Sequence, residues 1–578
     1  YYEPFNPRLV EPTDIAEPGE ARLSPSMRDM TLDQVMDAFE RAIELTPVLG
    51  ELGWEERRSF NGLLSITPDS SSIIGQSTEV KNLWLCEAVW VKEGPGAGKL
   101  LAEWMTHGRT SMDPHSVDSA RHYPIQKGDD YVRSRCYESA QKIYTPAVHP
   151  REPFATSRGM RVSPFYEREV ALGGYFMEVA GWERAHGYAA NEPTLLSKYR
   201  DQVPTREAEW DNRHFWEVSN AEQLALSDGV GMINLSHFAI FDVEGADAES
   251  LMEYLSVAKV GTDTAIGKGV YTHFLDQAGG IRSDLTIIRL ATDCFRVVCG
   301  GDTGHRDYIW MRNMSDKRGF ANVTFHDRSE QLATLGLWGP DARVTLAKLM
   351  DDPESISNEA FPFATTKEIV VCGVKVWAFR ISYVGEQGWE LYFPFSDGLG
   401  IWDALFDLGV TPVGIETYAN SRRLEKSLRL QNADLEIEYN LYEAGLARPK
   451  VKAADFHGKE AYVRQRELQT QAAYLCTFEL GDTTDSNGVI RYPVGNWPIL
   501  DRDTKHVIVD SHGRRSYTTS MAYGPSLGKN IAMGYLPADK AVEGDVVLIE
   551  YFGEHYDATV MKVGYGALLD PTNERPRS

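Results

Sequence analysis

In the stretch Tyr271-Thr272-His273-Phe274-Leu275-Asp276-Gln277-Ala278-Gly279-Gly280-Ile281-Arg282-Ser283-Asp284-Leu285, a glycine pair separates two apolar segments. Adjacent glycines turn the chain tightly, so this spacing delivers Asp284 at a strand start beside the turn. A carboxylate held there can accept a proton or stabilise a developing positive charge. An aspartate beside a turn more often caps backbone N–H groups, so the residue alone carries little. A second acidic motif, Ser382-Tyr383-Val384-Gly385-Glu386-Gln387-Gly388-Trp389-Glu390, precedes the basic cluster Arg423-Leu424-Glu425-Lys426. An arginine in such a leucine-bearing helix more often forms a structural ion pair. The glycine turn Gly94-Pro95-Gly96-Ala97-Gly98-Lys99 is no triphosphate loop: Glu93 and Leu100 stand where glycine and a Mg²⁺-binding hydroxyl are needed. Its remaining chemistry is that of a helix N-terminus facing an electron-rich cofactor edge, and the plain reading is a strand-to-helix turn.

The elements that must position these groups follow from periodicity. Thr31 and Gln34 are spaced as a capping box, and Leu32, Val35, Met36, Phe39 and Ile43 repeat at helical spacing after an irregular, Pro-rich and acidic segment 1–30. Residues 60–69 read as a strand leading into a turn, 83–91 as a nearly continuous buried strand, and 100–105 as a helix opened by the glycine turn. The polar, proline-bearing segment 110–160 reads as a connection. A helix is expected over 247–258, strands over 270–275, 285–290 and 295–299, and a hairpin over 368–383 turning at Cys372-Gly373. Short strands such as 546–551 and 556–563 indicate a small terminal β-barrel. Strands and helices without strict alternation indicate an α+β multidomain chain.

Composition excludes several classes. A chain of 578 residues is too long for one core, and 42% hydrophobic with 25% charged residues is ordinary globular usage. The formal net charge of −25 leaves no basic excess for a phosphate backbone, so nucleic acid is not an expected partner. The six cysteines lack C-x-x-C spacing, so no metal site and no disulfide framework is expected, in keeping with a reducing compartment. No apolar run reaches a membrane span, and the start at Tyr1 carries neither an initiator Met nor a signal-peptide pattern.

Several ordered motifs carry a resemblance. The tyrosine, glycine pair and aspartate at 271–284 resemble the glycine-cleavage T-protein pattern. Gly173-Gly174-Tyr175-Phe176-Met177-Glu178-Val179-Ala180-Gly181-Trp182-Glu183-Arg184 resembles that family's entry segment, and Leu337-Trp338-Gly339-Pro340 its mid-domain turn. The 382–390 motif resembles its Y-x-G-E-x-G-x-E element, Arg423-Leu424-Glu425 its R-L-E element, and Ser526-Leu527-Gly528-Lys529-Asn530-Ile531-Ala532-Met533-Gly534-Tyr535 its terminal-domain signature. Upstream, 60–69 and Glu87-Ala88-Val89-Trp90-Val91 resemble the end of the flavin domain in the dimethylglycine oxidase, dimethylglycine dehydrogenase and sarcosine dehydrogenase family.

The resemblance implies four parts: residues 1–110 as the C-terminal piece of a DAO-type FAD oxidoreductase domain, 111–162 as a connecting segment, 163–470 as a T-protein-like tetrahydrofolate-binding domain, and 471–578 as its β-barrel partner. It implies oxidative demethylation of an N-methylated amine, with the one-carbon unit passed to tetrahydrofolate as 5,10-methylenetetrahydrofolate. A flavin-free folate-dependent aminomethyltransferase or demethylase is the alternative. Asp284 takes the catalytic role at the reacting folate nitrogen, Glu386 the pterin's amino-pyrimidine edge, Tyr271 and Tyr383 the pterin surroundings, and Arg423 a further folate contact. Gly62, Pro68, Asp69, Gly94, Gly96 and Gly98 take the FAD edge. No dinucleotide-binding fingerprint follows a starting strand here, so FAD is expected to be bound mainly by a half outside this chain. That leaves room for a separate FAD-binding subunit or a homo-oligomer, in a bacterial cytoplasm or a mitochondrial matrix. Asn234 and the segment from Lys92 to Gly96 depart from the family pattern, and His237 reads as a core histidine.

Overall fold

The computed structural model describes residues 27–28, 30–53, 61–143 and 148–578. The irregular segment expected over 1–30 falls almost wholly outside them, as does Phe60.

Alternation along the strands builds two sheets that face each other. The first is antiparallel and runs Thr324–Asp327, Ala239–Glu244, Cys294–Cys299, Ile281–Arg289, Gly269–Leu275. One of its faces, with Phe241, Val243, Leu285, Ile287, Phe295 and Val297, packs on Ala248–Leu255 and Gly304–Arg318 through Leu251, Met252, Met311 and Met314. The second sheet runs Thr366–Val371, Val374–Phe379, Gly388–Pro394, Leu332–Trp338, Gly231–Asn234, Thr411–Pro412, with only the last pair parallel. Trp389, Leu391 and Phe393 turn outward onto Trp402 and Leu405 of Gly398–Asp407. Because strand side chains alternate faces, Asp284 of the first sheet and Glu390 and Tyr392 of the second are left pointing between the sheets, where Ile240 and Val298 meet Phe379 and Tyr392.

A third sheet, Ile499–Leu500, Val546–Tyr551, Glu554–Val563, Ala473–Leu480, Lys529–Pro537, Thr518–Gly524, forms the terminal barrel. Two buried carboxylates fasten it. Asp211 accepts from Arg491 Nε at 2.8 Å, Tyr492 N at 3.0 Å and Tyr551 Oη at 2.6 Å. Asp434 takes Arg423 Nη1 at 2.7 Å and Ser520 Oγ at 2.8 Å.

The chain ahead of residue 165 departs from four expectations. Leu32–Gln34 is a 3₁₀ turn and the helix starts at Met36–Leu45; the Thr31 side chain makes no capping bond. Segment 83–91 is not one buried strand. Only Trp84–Glu87 is extended, in a two-stranded ribbon with Ile73–Gln76, and Val91 is 98% exposed. A two-stranded ribbon offers no sheet face to bury the rest of the run. The helix after it is Gly94–His107, opening on the glycines themselves, where Pro95 fits because the first turn needs no N–H from it. The polar segment 111–162 holds the helix Asp129–Ile143. This region docks on the sheet unit through Tyr123 Oη to Gly301 O at 2.7 Å and Arg312 Nη2 to Thr78 O at 2.7 Å. Among the described residues no helix is long and apolar enough to cross a membrane, and no group of three or more His, Cys, Asp or Glu could hold a metal ion.

Candidate functional site

The loop between Gly269–Leu275 and Ile281–Arg289 owes its shape to both glycines. Gly279 sits at φ +81°, and a Cβ on Gly280 would stand 2.0 Å from Ile437 O. Asp276 fixes the loop by accepting from Ala278 N and Gly280 N, each at 2.8 Å. The strand pair that leaves the loop sets Asp284 directly opposite His273. Tyr271, on the same face, donates from Oη to Asp284 Oδ2 at 3.1 Å, and His273 Nε2 lies 3.2 Å from Tyr271 Oη. With the tyrosine proton directed to an ionised carboxylate, the Tyr271 oxygen is left to accept, which suits the Nε2–H tautomer of His273.

Burial, with Asp307 and Asp302 adding like charge, pushes the Asp284 carboxyl up to about 7 against the lowering effect of the Tyr271 bond. Asp284 and Tyr271 nonetheless keep accessible surface, Tyr271 being 37% exposed. The pair therefore lies at the floor of a recess. Burial drives His273 the other way, down to about 3, helped by Arg448 and Arg429.

Across the recess stand the aromatic rings. Tyr383 and Tyr418 have centroids 4.9 Å apart, and Phe238 lies 6.2 Å from Tyr418. Tyr418 lies within electrostatic reach of Asp284, Tyr383 and Glu390. Glu390 accepts from Tyr392 Oη at 2.5 Å and Tyr418 Oη at 3.5 Å, and burial raises its carboxyl to about 7 against those two bonds. The fold therefore gathers Asp284, Tyr271 and Tyr383 as the sequence reading had them, and adds Tyr418 and Glu390.

Two sequence candidates are committed elsewhere. Glu386, 3% exposed, is ion-paired with fully buried Arg422 and takes Arg575 Nη1 at 2.8 Å. It belongs to the turn before Gly388–Pro394, so strand alternation does not aim it between the sheets; Glu390, within the strand, is aimed there. That alternation was the available signal for choosing the second carboxylate of the motif. Arg423 spends its donors on Ala419 O at 2.6 Å, Leu428 O at 3.1 Å, Asp434 at 2.7 Å and Ser520 Oγ at 2.7 Å, a structural clamp.

Asn234 has a local reason to be neutral. It donates to Glu169 Oε2 at 3.0 Å, a carboxylate pushed up to about 7 by burial, beside which an aspartate would place a second negative charge. Burial holds the His237 imidazole neutral, well below its ordinary range, with Arg184 and His186 adding to the effect.

The flavin-edge candidates divide. Gly62, Gly94, Gly96 and Gly98 have open space where a Cβ would stand, and the last three lie on the first turns of Gly94–His107. Asp69 does not fit that role: it holds Arg121 through 2.7 and 2.9 Å bonds and accepts from Thr67 Oγ1 at 3.1 Å. Pro68 O is likewise taken, by Ser139 Oγ at 2.8 Å.

Comparison with known proteins matches three segments of the chain, one of them over the stretch read from the sequence as a connection. Residues 165–452 match the GCVT N-terminal domain, 107–163 the FAD dependent oxidoreductase central domain, and 495–563 the Glycine cleavage T-protein C-terminal barrel domain. The chain is 28% identical over 555 residues to the mitochondrial dimethylglycine dehydrogenase of Homo sapiens, covering 94% of this chain and 60% of that protein. It is 30% identical over 556 residues to the 4-methylaminobutanoate oxidase (formaldehyde-forming) of Paenarthrobacter nicotinovorans, covering 93% and 61%. The chain thus spans about three fifths of the length of these curated relatives. The aminomethyltransferase T of the Bartonella henselae glycine cleavage system superposes with a TM-score of 0.55 at 22% identity, over 70% of this chain and 97% of that one, a likeness of fold.

Proposed function

Homologues of this chain include the dimethylglycine and sarcosine dehydrogenases and 4-methylaminobutanoate oxidase, and on that premise we propose that it captures, on tetrahydrofolate, the one-carbon unit released by oxidation of an N-methylated amine. The product is 5,10-methylenetetrahydrofolate. The observation that carries this reading is the recess with a proton-holding carboxyl, Asp284, on one sheet and a second carboxyl, Glu390, on the facing sheet, joined by tyrosine rings.

A pterin would lie between the two. Tyr383, Tyr418 and Phe238 offer ring faces, and Glu390 can accept parallel N–H bonds from an amino-pyrimidine edge, the role first given to Glu386. That arrangement sets the folate amines toward Asp284. With its carboxyl near 7, Asp284 holds a proton for part of the time at neutral pH and can take one from a folate nitrogen as the new C–N bond forms. Tyr271 fixes the carboxylate by its hydrogen bond, and His273 fixes Tyr271 in turn. Bound flavin supplies the amine oxidation, and Gly94, Gly96 and Gly98 would face its edge.

The test supplies dimethylglycine or sarcosine with tetrahydrofolate to the flavin-loaded enzyme and measures the partition between 5,10-methylenetetrahydrofolate and free formaldehyde. Asp284→Ala should lower capture by about 10²- to 10⁴-fold while amine oxidation continues and formaldehyde escapes. An unchanged partition removes Asp284 from the mechanism. A second reading, a flavin-free folate transferase, draws on the aminomethyltransferase fold being matched over 97% of its length. Purified protein that binds tetrahydrofolate without flavin absorbance would favour it.

A further inference from the structure

The segment that carries Tyr418 toward the recess has a second face. Glu416, Asn420 and Arg423 lie on that face, which borders a cavity of about 250 Å³ between the two-sheet unit and the barrel. The cavity is therefore separated from the Asp284 recess by the thickness of a helix.

Its wall holds a cation that no carboxylate touches. Arg206 lies with its guanidinium 3.3 Å from the Phe215 ring centroid and 4.8 Å from that of Tyr492. Nη1 donates to the Asp211 backbone carbonyl at 3.0 Å, and the buried Nε has no hydrogen-bond partner. Among the described residues no carboxylate forms an ion pair with it. The Asp211 carboxylate is turned to Arg491 and Tyr551. The other charges of the wall are matched: Arg151 holds Glu416 with Nη2 at 2.5 Å, and Arg423 holds Asp434. Burial, with Arg151 adding like charge, lowers the Arg206 guanidinium to about 10 against the more distant pull of Glu416 and Asp211.

Asn220 supplies the second observation. It lines the same cavity, is 1% exposed, and its Nδ2 has no hydrogen-bond partner. The unpaired Asn220 Nδ2 and Arg206 Nε beside one cavity are both buried, and each carries a desolvation cost that an acceptor brought within reach would remove.

We propose that this cavity is a binding site for a small organic monocarboxylate, its carboxylate held by Arg206 and Asn220 and its body against Phe215, Tyr492 and Met521. One unmatched positive charge calls for a monoanion; a phosphate dianion would leave excess negative charge beside Glu416. The flat, edge-on donors of a guanidinium suit the planar carboxylate. The apolar and aromatic wall suits a short carbon body better than a bare ion.

Titration calorimetry on the 578-residue chain tests this, with butyrate as probe and butyramide and inorganic phosphate as comparisons. Butyrate should bind saturably at one site per chain, and butyramide about tenfold or more weakly by comparison because it forfeits the charge-assisted bond. Arg206→Gln should weaken butyrate by a similar factor. Asn220→Asp, nearly isosteric, should abolish it by placing a carboxylate inside the cavity, so the proposal stays testable if the arginine variant fails to fold. Tetrahydrofolate affinity should stay within about twofold in either folded variant, since the helix separates the sites. Absence of saturable butyrate binding, phosphate binding as tightly as butyrate, or undiminished binding in a folded variant each overturns the assignment.

Discussion

Asp284 and Glu386 sit in motifs of equal prominence, and their surroundings are opposite. Glu386 has two guanidinium partners, one of them fully buried. Asp284 has one neutral tyrosine donor, and surface still open to solvent. A carboxylate already matched by cations gains little from a ligand. One held by a neutral hydroxyl on the floor of a recess has capacity left to bind and to exchange protons. Glu390 belongs with Asp284 in this respect, its partners being the hydroxyls of Tyr392 and Tyr418.

That contrast can be broken most forcefully at Glu386. Replacing it by glutamine leaves Arg422 with Glu425 as its one carboxylate partner, and the expected loss is about 2–3 kcal/mol of folding stability. Tetrahydrofolate affinity, measured on the fraction that remains folded, should be unchanged. A weakened dissociation constant with intact stability would reverse the roles of the two glutamates. Glu390→Gln sharpens the contrast from the other side: folate binding should weaken by about 1–3 kcal/mol, with the unfolding midpoint in urea barely moved.

A smaller effect comes from protonation. Asp284 keeps its proton in the folded chain up to about pH 7, whereas an unfolded aspartate releases it near pH 4. Between those values the folded state binds the extra proton, so this residue costs stability progressively as pH rises through the window. Asp284→Asn should therefore melt higher than wild type at pH 8 and alike at pH 4, and an equal shift at both would show that the carboxyl is not held neutral. The least effect is expected at Asn234→Asp. The added carboxylate beside Glu169 should lower the melting temperature by a few degrees above neutral pH, as a loss of about 1 kcal/mol would, and less in acid.

Where local pattern and tertiary packing agree, the sequence was legible. The 271–284 hairpin could be read because its glycines serve a local turn, and the reading of a hairpin at Cys372-Gly373 holds for the same reason. Terminal strands over 546–563 alternate cleanly and pair as read. The 83–91 segment misled because a run of apolar residues carries no information on whether a sheet is there to receive it. Arg423 and Glu386 misled because a charge-bearing motif is written the same way whether its partner is a ligand or another side chain 11 or 36 positions away. Asp69 repeats the case, its partner Arg121 lying 52 positions on. Such pairings exist only after folding.

The two carboxylates that fasten the barrel have a mechanical meaning. Asp211 and Asp434 each hold side chains of the barrel while buried within the sheet unit's border, so peeling the barrel away would take the Asp211 counter-charge from Arg491 and the Thr519 and Ser520 hydroxyls from Asp434 at once. Partial detachment is then costlier than wholesale melting. Heat should take the two-sheet unit and the barrel apart in one calorimetric transition, and a protease should find no stage at which the barrel alone hangs loose.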